Sequence, residues 1–140
     1  MTRKKKSKLT WLSMGHKQYP RKPDKKILET FDNRHLKRNY TITFDCPEYT
    51  SVCPITGQPD FARIIIRYIP NRLCIESKSL KLYLFSYRDV GTFFESAVNN
   101  ILEDLVLAAQ PRHMTVRGEF HVRGGIGMTV EAEYSNKMKK

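Results

Sequence analysis

The sequence lacks any apolar run of the roughly 18 to 20 residues that a membrane-spanning helix requires. Its basic beginning is also not followed by the apolar stretch of a secretory signal. With 140 residues, of which 40% are hydrophobic, the chain is long enough to bury one ordinary core. These features predict a soluble, single-domain protein of the cytoplasm that has no membrane partner.

Motifs for metals and dinucleotides are scarce as well. Cys46, Cys53 and Cys74 form neither an even-numbered disulfide framework nor a C-x-x-C pair, and the four histidines are scattered. We therefore expect no metal site. The chain contains no G-x-G-x-x-G element, so a dinucleotide is not expected to bind in the manner of a Rossmann domain.

Acidic residues are scarce chiefly at the beginning of the chain. Residues 1–26 hold ten of the 25 Lys and Arg residues and only one Asp, so most of the net charge of +11 lies there. Such a segment is too poor in apolar residues to fold by itself. We predict a flexible basic extension over 1–26, one domain over 27–136 and a short basic tail over 137–140. The extension is either a solubilising segment or a contact for RNA or another polyanion.

Residue patterns in the domain predict the order strand, strand, helix, helix, strand, strand. The first strand alternates β-branched and aromatic residues from Arg38 and is expected to end at Pro47. Apolar periodicity and turn residues place the remaining elements at Phe61 to Ile69, Ser77 to about Arg88, Thr92 to about Ala109, Met114 to Val122 and Gly127 to Tyr134.

This order predicts an α+β fold with a four-stranded antiparallel sheet and both helices on one face. The outer strands have open edges, which favours assembly of several copies. The order ββααββ is similar to that of the tunnelling fold (T-fold), whose subunits close their sheets into a shared barrel.

The most informative segment is the turn-rich stretch 46–61, which contains Cys53 and, seven residues later, Asp60. A cysteine that attacks carbon needs an exposed loop position, a way to become thiolate and an acid that handles the proton. Spacing alone leaves open that Cys53 is a small loop hydrophobe and that Asp60 is a turn residue. Cys46 and Cys74 lack a comparable acid and are expected to pack as apolar groups.

Two motifs in the right order carry a family resemblance. The run from Ser51 to Phe61, SVCPITGQPDF, is followed by the octapeptide from Glu76 to Tyr83, ESKSLKLY. Together they resemble the short, single-unit type of NADPH-dependent 7-cyano-7-deazaguanine reductase (the QueF family), the nitrile reductase of queuosine biosynthesis, a tRNA modification. The resemblance extends from about Phe31 to the Arg-Gly-Gly turn at 123–125.

The resemblance implies a reaction and its two catalytic residues. Cys53 is the expected nucleophile, which adds to the nitrile carbon and gives a thioimide, and Asp60 is the expected acid. Two NADPH molecules in succession then reduce the carbon to the aminomethyl product. For the cofactor phosphates the resemblance and the local charge point to Lys78, Lys81 and Arg123.

The resemblance also implies a substrate site for the deazapurine, formed by Ile75, Glu76, Ser77, Phe94 and Glu95. A carboxylate such as Glu95 can accept hydrogen bonds from the 2-amino group and a ring N–H side by side. The residues from Thr92 to Glu95 alone also fit a helix capping box, which competes for the same carboxylate. The chain departs from the family at Phe94, where histidine is usual.

Three classes of function stay open from the sequence. The first is the reductase, with a homo-oligomer whose sites lie at subunit interfaces. The second is a relative that forms the same thioimide on a base within nucleic acid and lets an amine attack it, without a reductant. The third is a non-catalytic RNA-binding module that uses residues 1–26. A cyclohydrolase of the same architecture is disfavoured because the sequence assembles no obvious zinc site.

Overall fold

A computed structural model describes residues 19–136 of the chain. A 3-10 helix at Lys25–Ile27 precedes six strands and two helices. These are β1 (Thr30–Asp32), β2 (Ile42–Val52), β3 (Pro59–Ile69), β4 (Leu73–Ile75), α1 (Ser77–Phe85), α2 (Phe94–Ala109), β5 (His113–Arg123) and β6 (Ile126–Ser135). Neither helix has the length and apolar character that crossing a bilayer would demand.

The main sheet has four antiparallel strands in the order β2-β3-β5-β6. Burial alternates along β3, where Ala62, Ile64, Ile66 and Tyr68 are each no more than 1% exposed while Arg63 and Arg67 are exposed. This period of two places one apolar face of the sheet against the helices and leaves the other face charged. The predicted α+β order with both helices on one face is confirmed.

Helix α2 packs against β5 and β6 with one buried stripe. The stripe contains the apolar residues expected from the 3.6-residue period, namely Ala97, Val98, Ile101, Leu102 and Leu105. Gly118 on β5 permits this close approach, because a Cβ there would lie 2.8 Å from the Val98 side chain and 2.7 Å from the Phe120 ring. The C-cap of the helix is Gln110, whose φ of 44° lies in the left-handed region, and Pro111 follows it.

The first long strand differs from its prediction. It does not end at Pro47 but continues to Val52, with a register shift between Cys46 and Tyr49. The strand is at the edge of the sheet, so the missing N–H of proline breaks no essential ladder bond and a bulge absorbs the irregularity. As a result, the connection to β3 shortens to residues 53–58.

A second, two-stranded sheet was not predicted. It pairs β1 with β4 in antiparallel register, with Thr30 opposite Ile75. The Glu76 N–H donates to the Glu29 carbonyl at 2.9 Å, so the pairing fixes the start of α1. Each strand has only three residues, which is too short for a periodicity signal.

The structure describes only a portion of the two predicted segments outside the domain, 1–26 and 137–140. Residues 1–18 and 137–140 lie outside the described residues. Within 19–26, the Tyr19 ring lies against the Phe85 ring with centroids 5.2 Å apart, and Asp24 caps the 3-10 helix through the Lys26 N–H. The boundary near residue 26 stays a prediction.

Candidate active site

Cys53 begins a tight six-residue loop between β2 and β3. Its N–H donates to the Gln58 carbonyl at 2.8 Å, and its own carbonyl accepts from the Gly57 N–H at 2.8 Å. Gly57 has a φ of +72°, a conformation that favours glycine. The loop therefore holds the cysteine backbone in place while the side chain stays partly exposed.

The loop itself favours the thiolate of Cys53. The Thr56 side chain is the largest influence that lowers the pKa of the Cys53 thiol, followed by the backbone N–H groups of Thr56 and Ile55. Burial and the Asp60 charge oppose this shift. Several donors aimed at one sulfur form an anion-stabilising turn. Sequence reasoning missed Thr56, although a hydroxyl three residues after a cysteine in a turn is a usable signal.

Asp60, the second residue of β3, is the acid nearest to this loop in the sequence. It is paired across the sheet with Ser51 and is only 4% exposed. Arg123, at the end of β5, places Nη1 2.7 Å from Asp60 Oδ1. The structure thus joins Asp60 to Arg123, a residue that the sequence assigned to a cofactor phosphate. A carboxyl group beside a cysteine loop, with its charge balanced by a guanidinium, is suited to proton transfer.

A short parallel bridge brings the start of α2 to the Cys53 loop. Val52 pairs with Gly91: the Val52 N–H donates to the Val90 carbonyl at 3.0 Å, and the Thr92 N–H donates to the Val52 carbonyl at 3.1 Å. A Cβ on Gly91 would lie 3.3 Å from Pro54 Cα, so glycine allows the two backbones to approach. The bridge therefore brings the Cys53 loop close to the segment that leads into Phe94 and Glu95.

The capping box that the residues from Thr92 to Glu95 offered as the alternative to substrate binding does not form. The N-cap of α2 is Phe93, which makes no side-chain capping bond, and the Thr92 hydroxyl donates to the Phe93 carbonyl at 3.2 Å. Glu95 is exposed, and within residues 19–136 no hydrogen bond or ion pair engages its carboxylate. That carboxylate is therefore available for a ligand.

The Phe94 ring packs against another aromatic side chain. Its ring stacks on Phe120 with centroids 3.9 Å apart and an interplanar angle of 12°. Phe120 in turn meets the Tyr49 ring edge-on at 6.3 Å. A phenyl ring neither donates nor accepts protons, so at this position the chain supplies shape and exclusion of water.

The other predicted substrate residues lie where β4 meets α1. Ile75 is 3% exposed and its N–H donates to the Tyr68 hydroxyl at 2.9 Å. Glu76 is the N-cap of α1, where its carboxylate accepts from the Lys78 and Ser79 N–H groups, each at 2.7 Å. This cap fixes the start of the helix. Ser77 is exposed beside it.

Lys78 and Lys81 lie one turn apart on α1, and Lys81 is exposed. At the N-terminus of this helix the Glu76 carboxylate accepts from two of the free N–H groups, those of Lys78 and Ser79. A phosphate would therefore depend on the lysine ammonium groups themselves.

Comparisons with known proteins agree on one family. The sequence profile of the family described as "QueF-like protein" matches residues 59–139. A protein of Streptococcus thermophilus named "NADPH-dependent 7-cyano-7-deazaguanine reductase" is 56% identical over 114 residues, which cover 81% of this chain and 70% of that protein. A protein of Halorhodospira halophila with the same name is 57% identical over 112 residues, covering 80% of this chain and 95% of that one.

A solved structure supports the fold independently. The crystal structure titled "archaeosine synthase QueF-Like in the apo form" superposes with a TM-score of 0.60 and 24% sequence identity. The superposition covers 68% of this chain and 91% of that one. At this identity the likeness concerns the fold alone.

Proposed function

The chain belongs to the family of NADPH-dependent 7-cyano-7-deazaguanine reductases, and we propose that it catalyses the reduction of 7-cyano-7-deazaguanine to 7-aminomethyl-7-deazaguanine in queuosine biosynthesis. The observation that carries the proposal is Cys53, partly exposed in a loop whose donors lower the pKa of its thiol. Identities of 56% and 57% over about four fifths of the chain support the same conclusion.

Cys53 supplies the nucleophile. Its sulfur forms a bond to the nitrile carbon, and one of the two π bonds of the C≡N group becomes a lone pair on nitrogen, which takes a proton. The product is a thioimide, which accepts hydride more readily than the nitrile. The donors in the Cys53 loop favour the thiolate that this step requires.

Asp60 transfers the proton from sulfur to nitrogen. As a carboxylate it takes the proton of the Cys53 thiol, and as the resulting acid it returns one to the nitrile nitrogen. Its burial beside the loop shields this exchange from bulk water, and Arg123 balances its charge. No proton is gained or lost overall in the addition.

The residues present fit a phosphate-bearing cofactor. Lys78 and Lys81 are cations near the start of α1, and Arg123 is a cation at the end of β5. They would hold NADPH through its phosphates, Arg123 through the guanidinium N–H groups that do not face Asp60. When bound, NADPH supplies the hydride, and the change from nitrile to amine requires two of them with two protons.

The substrate would be held by two groups of residues. Glu95, with its unengaged carboxylate, is assigned to the 2-amino group and ring N–H of the deazapurine, and Phe94 to the wall beside it. Ile75, Glu76 and Ser77 lie at the end of β4 and the start of α1. The two long edge strands, β2 and β6, are open in the single chain. We propose that barrel assembly brings the two groups together at subunit interfaces.

The test is the oxidation of NADPH by purified protein with 7-cyano-7-deazaguanine, with the product identified by mass. We expect two NADPH consumed per aminomethyl product, and no consumption by Cys53→Ala. Absence of NADPH oxidation by the folded wild-type protein would overturn the reductase proposal. Thioimide formation that only an amine discharges would instead indicate the amine-transferring relative.

A further inference from the structure

Three buried polar groups lie together behind the Cys53 loop. Tyr49, Ser51 and Asp60 are 2%, 0% and 4% exposed. Tyr49 and Ser51 are two residues apart on β2, so their side chains lie on the same face, and Ser51 is the register partner of Asp60 on β3. Side chains that face each other across antiparallel strands have Cβ atoms about 4.5 to 5.5 Å apart. A serine hydroxyl at this position is therefore close to the carboxyl group.

These three groups share a second property. Among residues 19–136, the Tyr49 hydroxyl, the Ser51 hydroxyl and Asp60 Oδ1 are buried and none makes a hydrogen bond of good geometry, although the Ser51 side chain lies near enough to the Tyr49 phenol to influence it. Arg123 Nη1 lies at ion-pair distance from Oδ1 but outside hydrogen-bonding geometry. Buried polar atoms are almost always hydrogen-bonded in folded proteins. Three exceptions around one carboxyl group therefore indicate a shared function.

The ring of Tyr49 is held from two sides, which fixes the position of its hydroxyl. Phe120 meets it edge-on, and the Tyr87 ring lies 5.7 Å away between centroids. The Tyr87 hydroxyl is engaged with that of Tyr83 at 3.0 Å, and Tyr83 donates to the Asp104 carboxylate at 2.6 Å.

The protonation state of Tyr49 makes it a lasting donor. Burial raises the pKa of the Tyr49 phenol well above its usual range, and the charges of Tyr87 and Asp60 act in the same direction. The Ser51 side chain opposes that rise, which places it beside the phenol oxygen. The phenol thus keeps its proton throughout the neutral range.

We propose that Tyr49 and Ser51 are positioning residues for Asp60. The hydroxyl groups of Tyr49 and Ser51 turn toward Asp60 Oδ1 and donate to it whenever the carboxyl group is ionised. With Arg123 on the same oxygen, they reserve Oδ2 for the proton that travels between Cys53 and the nitrile nitrogen. Hydroxyl donors stabilise the carboxylate, which makes Asp60 a weaker base but a stronger acid, so they assist the later delivery of its proton to the nitrile nitrogen. The groups that face Asp60 are Tyr49 and Ser51 from β2, Arg123 from β5 and Cys53 from the loop.

The inference rests on the proposed reductase function, and variants of the active protein test it. Tyr49→Phe and Ser51→Ala each remove one oxygen and leave the packing largely intact. Loss of a hydrogen bond to a charged group is expected to lower kcat at the acidic end roughly ten-fold, with KM within about two-fold. The acidic limb of the kcat profile moves to higher pH, because fewer donors favour the carboxylate. In the double variant kcat should fall by less than another ten-fold below either single variant, because both hydroxyls act on the same carboxyl group.

The matched control is Tyr134→Phe, which removes a phenol oxygen from β6 at the far end of the sheet. It is expected to keep the wild-type profile, and thermal unfolding verifies that all variants are folded. An equal loss of kcat at every pH in Tyr49→Phe and Ser51→Ala would show a merely structural role and overturn the inference. Profiles that coincide with the wild type would do the same. An inactive wild-type protein would instead refute the proposed function itself.

Discussion

Cys46 and Cys53 lie seven residues apart, on and directly after the same strand, yet their surroundings have opposite effects. Burial, together with the nearby Asp45 charge, raises the pKa of the Cys46 thiol to about 11. Hydrogen-bond donors of Thr56 and Ile55 lower the pKa of the Cys53 thiol. The same residue type is therefore inert in a strand and activated in a turn, and the Thr56 side chain together with the backbone N–H groups of the loop makes the difference.

The largest effect expected from this contrast is on turnover. Cys53→Ala should lose at least about 10³-fold in kcat, because no other group replaces the attacking sulfur. Cys46→Ala should stay within about three-fold of wild type, since its thiol is not ionised near neutral pH. NADPH oxidation measures both. Equal losses of kcat in the two variants would contradict the assignment of Cys53 as the nucleophile and of Cys46 as an inert thiol.

The second effect is on alkylation by iodoacetamide, measured by peptide mass mapping at pH 8. The loop lowers the pKa of the Cys53 thiol, whereas burial raises that of Cys46 to about 11, so a much larger fraction of Cys53 is ionised at pH 8. We expect Cys53 to react roughly a hundred-fold faster. As pH falls through its lowered pKa, Cys53 loses reactivity at a lower pH than an ordinary cysteine. Comparable rates at the two sites would show that the loop donors do not act on the sulfur.

A third, smaller effect isolates the threonine. Thr56→Val keeps the shape of the side chain and removes the strongest influence on the Cys53 thiol. The pKa of Cys53 should rise, so its pH profile of alkylation moves to higher pH and its rate near pH 7 falls by about three- to ten-fold. Thr50→Val, on β2 opposite Phe61, serves as control. A profile unchanged by Thr56→Val would assign the effect to the backbone N–H groups.

The smallest effect concerns Asp45, which acts on Cys46 alone. Its charge is the lesser of the two causes that raise the pKa of Cys46, and its carboxylate is also hydrogen-bonded to Arg63. Asp45→Asn should move Cys46 alkylation slightly toward lower pH, by a few-fold in rate, and leave Cys53 unchanged. A simultaneous change in the alkylation of Cys53 would mean that the Asp45 charge also influences the Cys53 thiol.

Periodicity predicted most of the fold. The stripe of α2 and the inward residues of β3 follow directly from patterns of 3.6 and 2 residues. The course of β2 through Pro47 was not predictable in this way, because it depends on the strand being at a sheet edge. The pairing of β1 with β4 depends on contacts between distant segments, which no local pattern contains.

The candidate site was predictable as a set of residues but not as an arrangement. Motifs singled out Cys53, Asp60 and Glu95, and their catalytic and binding roles stay proposals. The ion pair of Asp60 with Arg123 and the hydroxyls of Tyr49 and Ser51 were missed, since they follow from strand register. The Phe93 cap overturned a capping box that fitted the local sequence well, because the bridge from Val52 to Gly91 sets the chain's path into α2.

Intact-protein mass spectrometry with 7-cyano-7-deazaguanine, first without and then with NADPH, tests most directly whether the Cys53 sulfur adds to the nitrile. The predicted result is a mass increase of one whole substrate on the wild-type protein, mapped to Cys53, absent in Cys53→Ala and discharged when NADPH is added. Either an unmodified wild-type protein that nevertheless turns over, or an adduct that persists in Cys53→Ala, would contradict the account.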